Sequence, residues 1–218
     1  TDLYSQLLHY GYAVFEGIRS HKTANGETKT FKADEHHDRL RQSAEAMNMP
    51  FAWTTEELIA ANYEVLKQNN LQDAYIRPVV YAPANMSFAK NTESFITIQA
   101  WEMQPFLGDK LLKVMTSSFQ RPNPKGFKIT AKASGHYVNS ILASQEAKGK
   151  GFDEALLLDM NDFVAEGPGA NIFYEKDGKL FTPSLGNILP GITRATVLEI
   201  CDELRIPIEE KQISTDEL

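Results

Sequence analysis

The 218-residue sequence predicts an α+β protein of two domains. Three observations carry this. Stretches rich in β-branched and aromatic residues cluster along the chain, with helical segments interspersed irregularly between them, which argues against a strict βα alternation. Four stretches repeat apolar residues at helical spacing or follow a helix-start signal. Residues 103–110 (MQPFLGDK) lose periodicity and carry Pro105 and Gly108, which marks a boundary.

Taken in order, residues 10–20 (YGYAVFEGIRS) read as one strand, followed by a turn at Gly26 and a second strand around 27–32. Asp34 caps a helix over 35–48 that places Leu40, Ala44 and Met47 on one side. Thr54 and Glu57 form a capping box for a helix running to about Asn70, with Leu58, Ala61, Val65 and Leu66 on its apolar face. Strands follow near 74–82 and 94–102, and Pro78 inside the first predicts an edge position or a bulge. Beyond the boundary come a strand at 111–117, a loop at 120–126, a helix at 135–148 and strands near 154–160 and 163–166. A hairpin spans 171–182 and turns at Asp177-Gly178. Leu189-Pro190-Gly191 leads into a helix over 192–204. Residues 214–218 read as a helix start with no helix behind it, which predicts a fragment of a longer chain.

Composition narrows the function. With 42% hydrophobic residues and no long apolar run, the sequence reads as a soluble globular protein and no membrane partner is expected. Lys and Arg number 22 against 29 Asp and Glu, a net charge of −7, which disfavours a nucleic-acid binder. Cys201 is the sole cysteine, so intrachain disulfides and multi-cysteine metal sites are excluded and a reducing cytoplasm is favoured.

Three spots could carry chemistry, each with a plainer alternative. The helix opening at Gly191-Ile192-Thr193 offers N–H groups and a dipole to an anion, or is an ordinary cap. Lys132, among the small residues of 130–135 (TAKASG), could be approached closely by a ligand and act as a nucleophile, or be a surface charge. Glu166 ends a strand and precedes Gly167-Pro168-Gly169, a backbone of special conformation or simply a tight turn. His36-His37 lacks the spaced partner of a zinc helix and reads as a polar face or partial cap. No P-loop or G-x-S-x-G string occurs.

Together these strings resemble the branched-chain amino acid aminotransferases, within the fold type IV (class IV) group of pyridoxal-phosphate enzymes. The carrying segments are 9–19 (HYGYAVFEGIR), 35–44 (EHHDRLRQSA), 74–78 (AYIRP), 130–140 (TAKASGHYVNS), 165–173 (AEGPGANIF) and 189–194 (LPGITR). The resemblance implies a D-amino acid aminotransferase-like fold. A small α/β domain would cover 1–104, an interdomain loop 105–110, and a larger pseudo-barrel domain that binds the cofactor 111–218. A short first strand and several dozen C-terminal residues of the family would fall outside this sequence.

It also implies roles. Lys132 would hold pyridoxal 5′-phosphate through its ε-amine and shuttle the proton. Glu166 would face the pyridine nitrogen and Tyr137 the phenolic oxygen, while Arg39, Ile192 and Thr193 would hold the phosphate. Tyr10, Phe15, Gly17, Arg19, Tyr75, Arg77 and Phe106 would surround the substrate, with Arg77 pairing the distal carboxylate of glutamate. No metal is implied. Phe106, His136 and Ala170 depart from residues common in the family, a Tyr, an Asn and a Glu. The implied reaction moves an amino group from leucine, isoleucine or valine to 2-oxoglutarate in a ping-pong course. The implied assembly is a homodimer with residues near 83–90 at the subunit contact. D-amino acid aminotransferase or aminodeoxychorismate lyase activity is the alternative within the fold, and a non-catalytic anion-binding module the alternative outside it.

Overall fold

The computed structural model describes residues 2–102, 108 and 110–218. The chain forms two compact units, Thr1–Lys110 with Ala131–Gly135, and Leu111–Thr130 with His136–Leu218.

In the first unit the single strand expected over 10–20 is broken twice. Residues Gln6–Tyr10 form helix α1, which Gly11 ends in the left-handed region at φ 65°. Strands β1 (Ala13–Phe15) and β2 (Ile18–Lys22) follow, separated by Glu16 and Gly17. β3 (Thr28–Thr30) pairs antiparallel with β2 across the turn at Gly26. Helix α2 spans Ala33–Ala46 and begins after Lys32, which adopts φ 48° and supplies no side-chain cap. The expected cap, Asp34, therefore lies inside the first turn beside Glu35, where both carboxylates complement the helix dipole. Helix α3 (Thr55–Gln68) has the predicted box: the Thr54 hydroxyl accepts from the Glu57 N–H, and the Glu57 carboxylate accepts from the Thr54 N–H.

Strand β4 (Ala74–Tyr81) pairs antiparallel with β5 (Phe95–Glu102) along its full length. Its other edge is shared by β1, at Val79–Tyr81, and β2, at Ala74–Ile76. β4 is thus central and paired without a register shift, neither the edge strand nor the bulge that Pro78 predicts. The reason is local. Pro78 falls opposite the Glu16–Gly17 break, and its carbonyl accepts the Glu16 N–H there at 3.0 Å. In an antiparallel strand a residue's nitrogen and carbonyl face the same side, so the missing donor points at the break.

α2 and α3 cover one face of this sheet, burying Val14, Leu40, Ala44, Leu58 and Val80 in one cluster and Ile18, Leu66, Ala74 and Ile76 in another. Along β4 the even residues are buried and the odd ones half-buried. Residues 131–135, which the sequence assigns to the second domain, belong to this unit. Ala133 bridges antiparallel to Val14, the Phe15 N–H donates to the Lys132 carbonyl, and the Gly135 N–H donates to the Gly11 carbonyl.

In the second unit, β6 (Val114–Thr116) runs parallel to β7 (Glu154–Leu158), which pairs antiparallel with β8 (Val164–Glu166). Helix α4 (Tyr137–Gly149) packs Ala143 and Ala147 on Ala155 and Leu157. The β9 (Tyr174–Lys176) and β10 (Lys179–Pro183) hairpin turns at Asp177 and Gly178, both at positive φ as a type I′ turn requires. Helix α5 spans Ile192–Leu204, and β11 (Ile208–Lys211) lies parallel to β10. The strands assigned by resemblance to a pseudo-barrel form these two three-stranded sheets. Ser214 and Glu217 make the expected capping box, which opens only a 3-10 turn over Thr215–Glu217. Among the described residues no helix is long and apolar enough to cross a membrane.

Candidate active site

The predicted residues divide between the two units. In the first, strand register brings five of them onto the sheet face opposite α2 and α3. The Val14–Ala133 bridge makes Lys132, Phe15 and Val79 one cross-strand row. Arg19 and Tyr75 form the next row on the same face, and Arg77 lies between the two rows. Side chains converge as the register requires. The Lys132 ammonium stands 5.1 Å from the Phe15 ring centre and the Arg77 guanidinium 4.4 Å from it. Arg77 also donates to the Tyr75 hydroxyl at 2.7 Å, while its Nε is buried with no hydrogen-bond partner among the described residues. Gly17 borders this group for a steric reason: any Cβ there would overlap the Tyr75 hydroxyl. Ala131 and Ala133, both buried, flank Lys132 and lock its backbone into the sheet, and the Ser43 hydroxyl accepts its N–H at 3.0 Å.

Tyr10 makes its contacts elsewhere. Its ring lies 5.3 Å from Phe88 and its hydroxyl donates to the Met86 carbonyl. Phe106 lies outside the described residues.

Arg39 sits on the helix side of the same sheet, held by a residue the sequence reading did not single out. Glu16, fully buried in the strand break, accepts Arg39 Nε on Oε1 at 2.6 Å and Nη2 on Oε2 at 2.8 Å. His36 Nδ1 adds a bond to Oε2 at 2.7 Å. Burial alone would raise the Glu16 carboxyl, but the hydrogen bonds from His36 and Arg39 outweigh it and hold it at about 2. His36-His37 is accordingly no exposed polar face, for both rings are buried. His37 instead accepts from the Asn62 amide at 2.8 Å.

In the second unit Glu166 is buried at the end of β8 among donors. Asn171 donates to it at 2.8 Å, the Leu189 N–H reaches both oxygens, and Arg121 Nε lies 2.8 Å from Oε1, a charge pairing in which the N–H direction misses the oxygen. Asn171 donates to the Leu189 carbonyl as well, tying the strand end to the segment that precedes α5. Neither Gly167 nor Gly169 has a positive φ, and the Gly167 N–H donates to the Ala170 carbonyl beside the antiparallel bridge of Glu166 and Asn171. α5 opens at Gly191 with no side-chain cap and no acidic residue in its first turn; Ile192 there is half-buried and Thr193 exposed. Tyr137 is the half-buried first residue of α4, preceded by His136, whose buried ring meets Phe127 edge-on.

Glu16 and Arg121 escaped the sequence reading because each acts through a distant partner. The only visible signal for Glu16 was a lone charge between Phe15 and Gly17 in an otherwise strand-forming run.

The amino-transferase class IV family matches residues 13–218. The chain belongs to this family. Class IV aminotransferases with similar sequences or folds include the branched-chain-amino-acid aminotransferase of Pseudomonas aeruginosa, 41% identical over all of this chain and 73% of the relative. The solved branched-chain aminotransferase of Thermoproteus uzoniensis, in complex with norvaline, superposes with a TM-score of 0.95 at 37% identity, covering 100% of this chain and 74% of the other. The Thermobaculum terrenum enzyme in its PLP-form gives 0.92 at 34% identity, covering 100% and 73%. These class IV structures establish the α+β fold for the chain as a whole.

Proposed function

We propose that this class IV aminotransferase uses pyridoxal 5′-phosphate to transfer the amino group of L-leucine, L-isoleucine or L-valine to 2-oxoglutarate in a ping-pong course, giving L-glutamate and a branched 2-oxo acid. The observation that carries the reading is the row of Lys132 and Phe15, with Arg77 over the same ring. The names of the relatives and the norvaline and PLP in their structures point the same way.

The residues suit the cofactor chemically. A buried carboxylate, Glu166, fits a protonated ring nitrogen, and an uncapped helix start without acidic residues fits a dianionic phosphate. When bound, the cofactor supplies an electrophilic carbonyl that takes up the amino group and an electron sink for the carbanion at the substrate Cα. Lys132 Nζ would hold it covalently and, once freed, would take the proton from the substrate Cα. Glu166 would keep the ring nitrogen charged, Tyr137 would orient the phenolic oxygen, and Arg39, Ile192 and Thr193 would bind the phosphate.

Phe15, Gly17 and Tyr75 shape an apolar place for an aliphatic side chain, with Arg19 adjoining. Arg77, whose Nε lacks an acceptor among the described residues, suits the distal carboxylate of glutamate, because a charge shielded from water needs a partner. Leu3, Tyr4, Leu8 and Phe88 leave a strongly exposed apolar group near α1 and residues 83–90, which supports a homodimer contact there. A single buried cysteine suits the reducing cytoplasm.

Initial rates with 2-oxoglutarate test the assignment. L-leucine is expected to react and D-alanine not; the reverse preference would overturn it.

A further inference from the structure

We propose that Glu16 is the positioning residue that aims the Arg39 guanidinium at the phosphate. The proposal rests on the reading of Arg39 as a phosphate ligand. Its basis is the shape of the contact. Arg39 Nε and Nη2 meet the two carboxylate oxygens separately, at 2.6 and 2.8 Å, and two parallel bonds fix both the plane and the rotation of the guanidinium. A single bond would leave the group free to turn.

The carboxylate is itself immobilised. Its side chain has no exposure, His36 Nδ1 donates to Oε2 at 2.7 Å, and the Gly17 N–H adds a weaker bond at 3.2 Å. The Glu16 backbone N–H is bound to Pro78 in the centre of the sheet. Phe15 and Gly17, its chain neighbours, belong to the opposite face that carries Lys132. One three-residue segment therefore registers the proposed phosphate anchor against the lysine.

Charge separates this role from its rivals. By Coulomb's law alone, an anion beside Arg39 weakens its pull on a phosphate dianion, so simple electrostatics predicts tighter phosphate binding when Glu16 is neutralised. Positioning predicts weaker binding. A purely structural tie predicts a loss that does not depend on the phosphate at all.

The experiment titrates the full chain with pyridoxal 5′-phosphate and, separately, with pyridoxal, which lacks the phosphate, following the absorbance of the bound aldehyde. Glu16→Gln and Glu16→Asp are expected to raise Kd for the phosphorylated form about 10-fold and leave pyridoxal within about twofold. In an Arg39→Lys background, which cannot form the paired contact, Glu16→Gln is expected to add nothing. Equal loss for both aldehydes, tighter binding of the phosphorylated one, or an effect that persists in Arg39→Lys would overturn the proposal. So would the failure of both Glu16 variants to fold while Arg39→Lys folds, since Glu16 would then be a structural tie. If Arg39→Lys itself does not single out the phosphorylated aldehyde, the phosphate reading of Arg39 falls and the proposal with it. A selective Arg39→Lys beside an unselective Glu16→Gln overturns the proposal alone.

Discussion

Phe15 and Lys132 are direct cross-strand neighbours: the Phe15 N–H donates to the Lys132 carbonyl at 3.0 Å, and the lysine's ammonium reaches within 5.1 Å of the ring centre. The lysine is thus positioned by a strand pairing and not by a flexible loop. Phe15 also lies under the Arg77 guanidinium, so one ring supports the amine proposed for the chemistry and the cation proposed for carboxylate recognition.

Replacing that ring tests the support without emptying the core. Phe15→Leu keeps much of the volume and is expected to cost about 1 kcal/mol in stability. It removes the π-face from both cations, and kcat/KM for leucine is expected to fall about 10-fold, since each such contact is worth about 0.5–2 kcal/mol. Urea unfolding and steady-state rates on the same preparation separate the two effects.

Gly17 and Tyr75 form a steric pair. A methyl group from Gly17→Ala would displace the Tyr75 hydroxyl and break its 2.7 Å bond with Arg77. A drop of about 10-fold in kcat/KM is expected, and adding Tyr75→Phe, which removes the same hydroxyl, should cost little more, a non-additive result of the kind that neighbouring residues produce. Full additivity in a double-mutant cycle would show that the clash is not the cause.

Arg77→Ala is expected to reduce kcat/KM about 10- to 100-fold with glutamate as donor, the worth of a buried charged hydrogen bond, and clearly less with leucine. Equal losses for the two donors would mean that Arg77 does not read the distal carboxylate.

Two buried groups make stability depend on pH in different windows. Burial, aided by the neighbouring His36, pushes the His37 imidazole down to about 4 from 6.5. Asn62 donates to Nε2, so a proton on that nitrogen would set two donors against each other. Between pH 6.5 and 4 the unfolded chain binds more protons than the folded one, and stability falls as the solution is acidified through that range. Glu16, held at about 2, contributes stability that is complete above about 4.5 and is lost as pH falls toward 2. Thermal midpoints measured from pH 8 to 3 should therefore fall in two stages, and His37→Gln should flatten the upper one only.

Local signals were the legible part of the fold. The Thr54–Glu57 box, the Asp177-Gly178 turn and the start of α5 each depend on residues within one turn of each other, and all three form as the spacing predicts. What the sequence hid depends on partners far along the chain. Pro78 is tolerated in a central strand only because Glu16 and Gly17 interrupt the neighbouring edge. Residues 131–135 join the first unit through a pairing with β1 that no local pattern encodes. Lys132 and Glu166 stood out by the small residues around them. Their supports, Phe15 for one and Arg121 with Asn171 for the other, became visible only once strand register and turn geometry had brought them close.

Whether Lys132 bonds covalently to pyridoxal 5′-phosphate is the most direct test of the proposed function. The protein incubated with pyridoxal 5′-phosphate is reduced with borohydride, digested, and the modified peptide located by mass spectrometry. One phosphopyridoxyl group on Lys132, lost in a folded Lys132→Ala variant, is the expected result. A label on another lysine, or an unchanged level of labelling in Lys132→Ala, would contradict it.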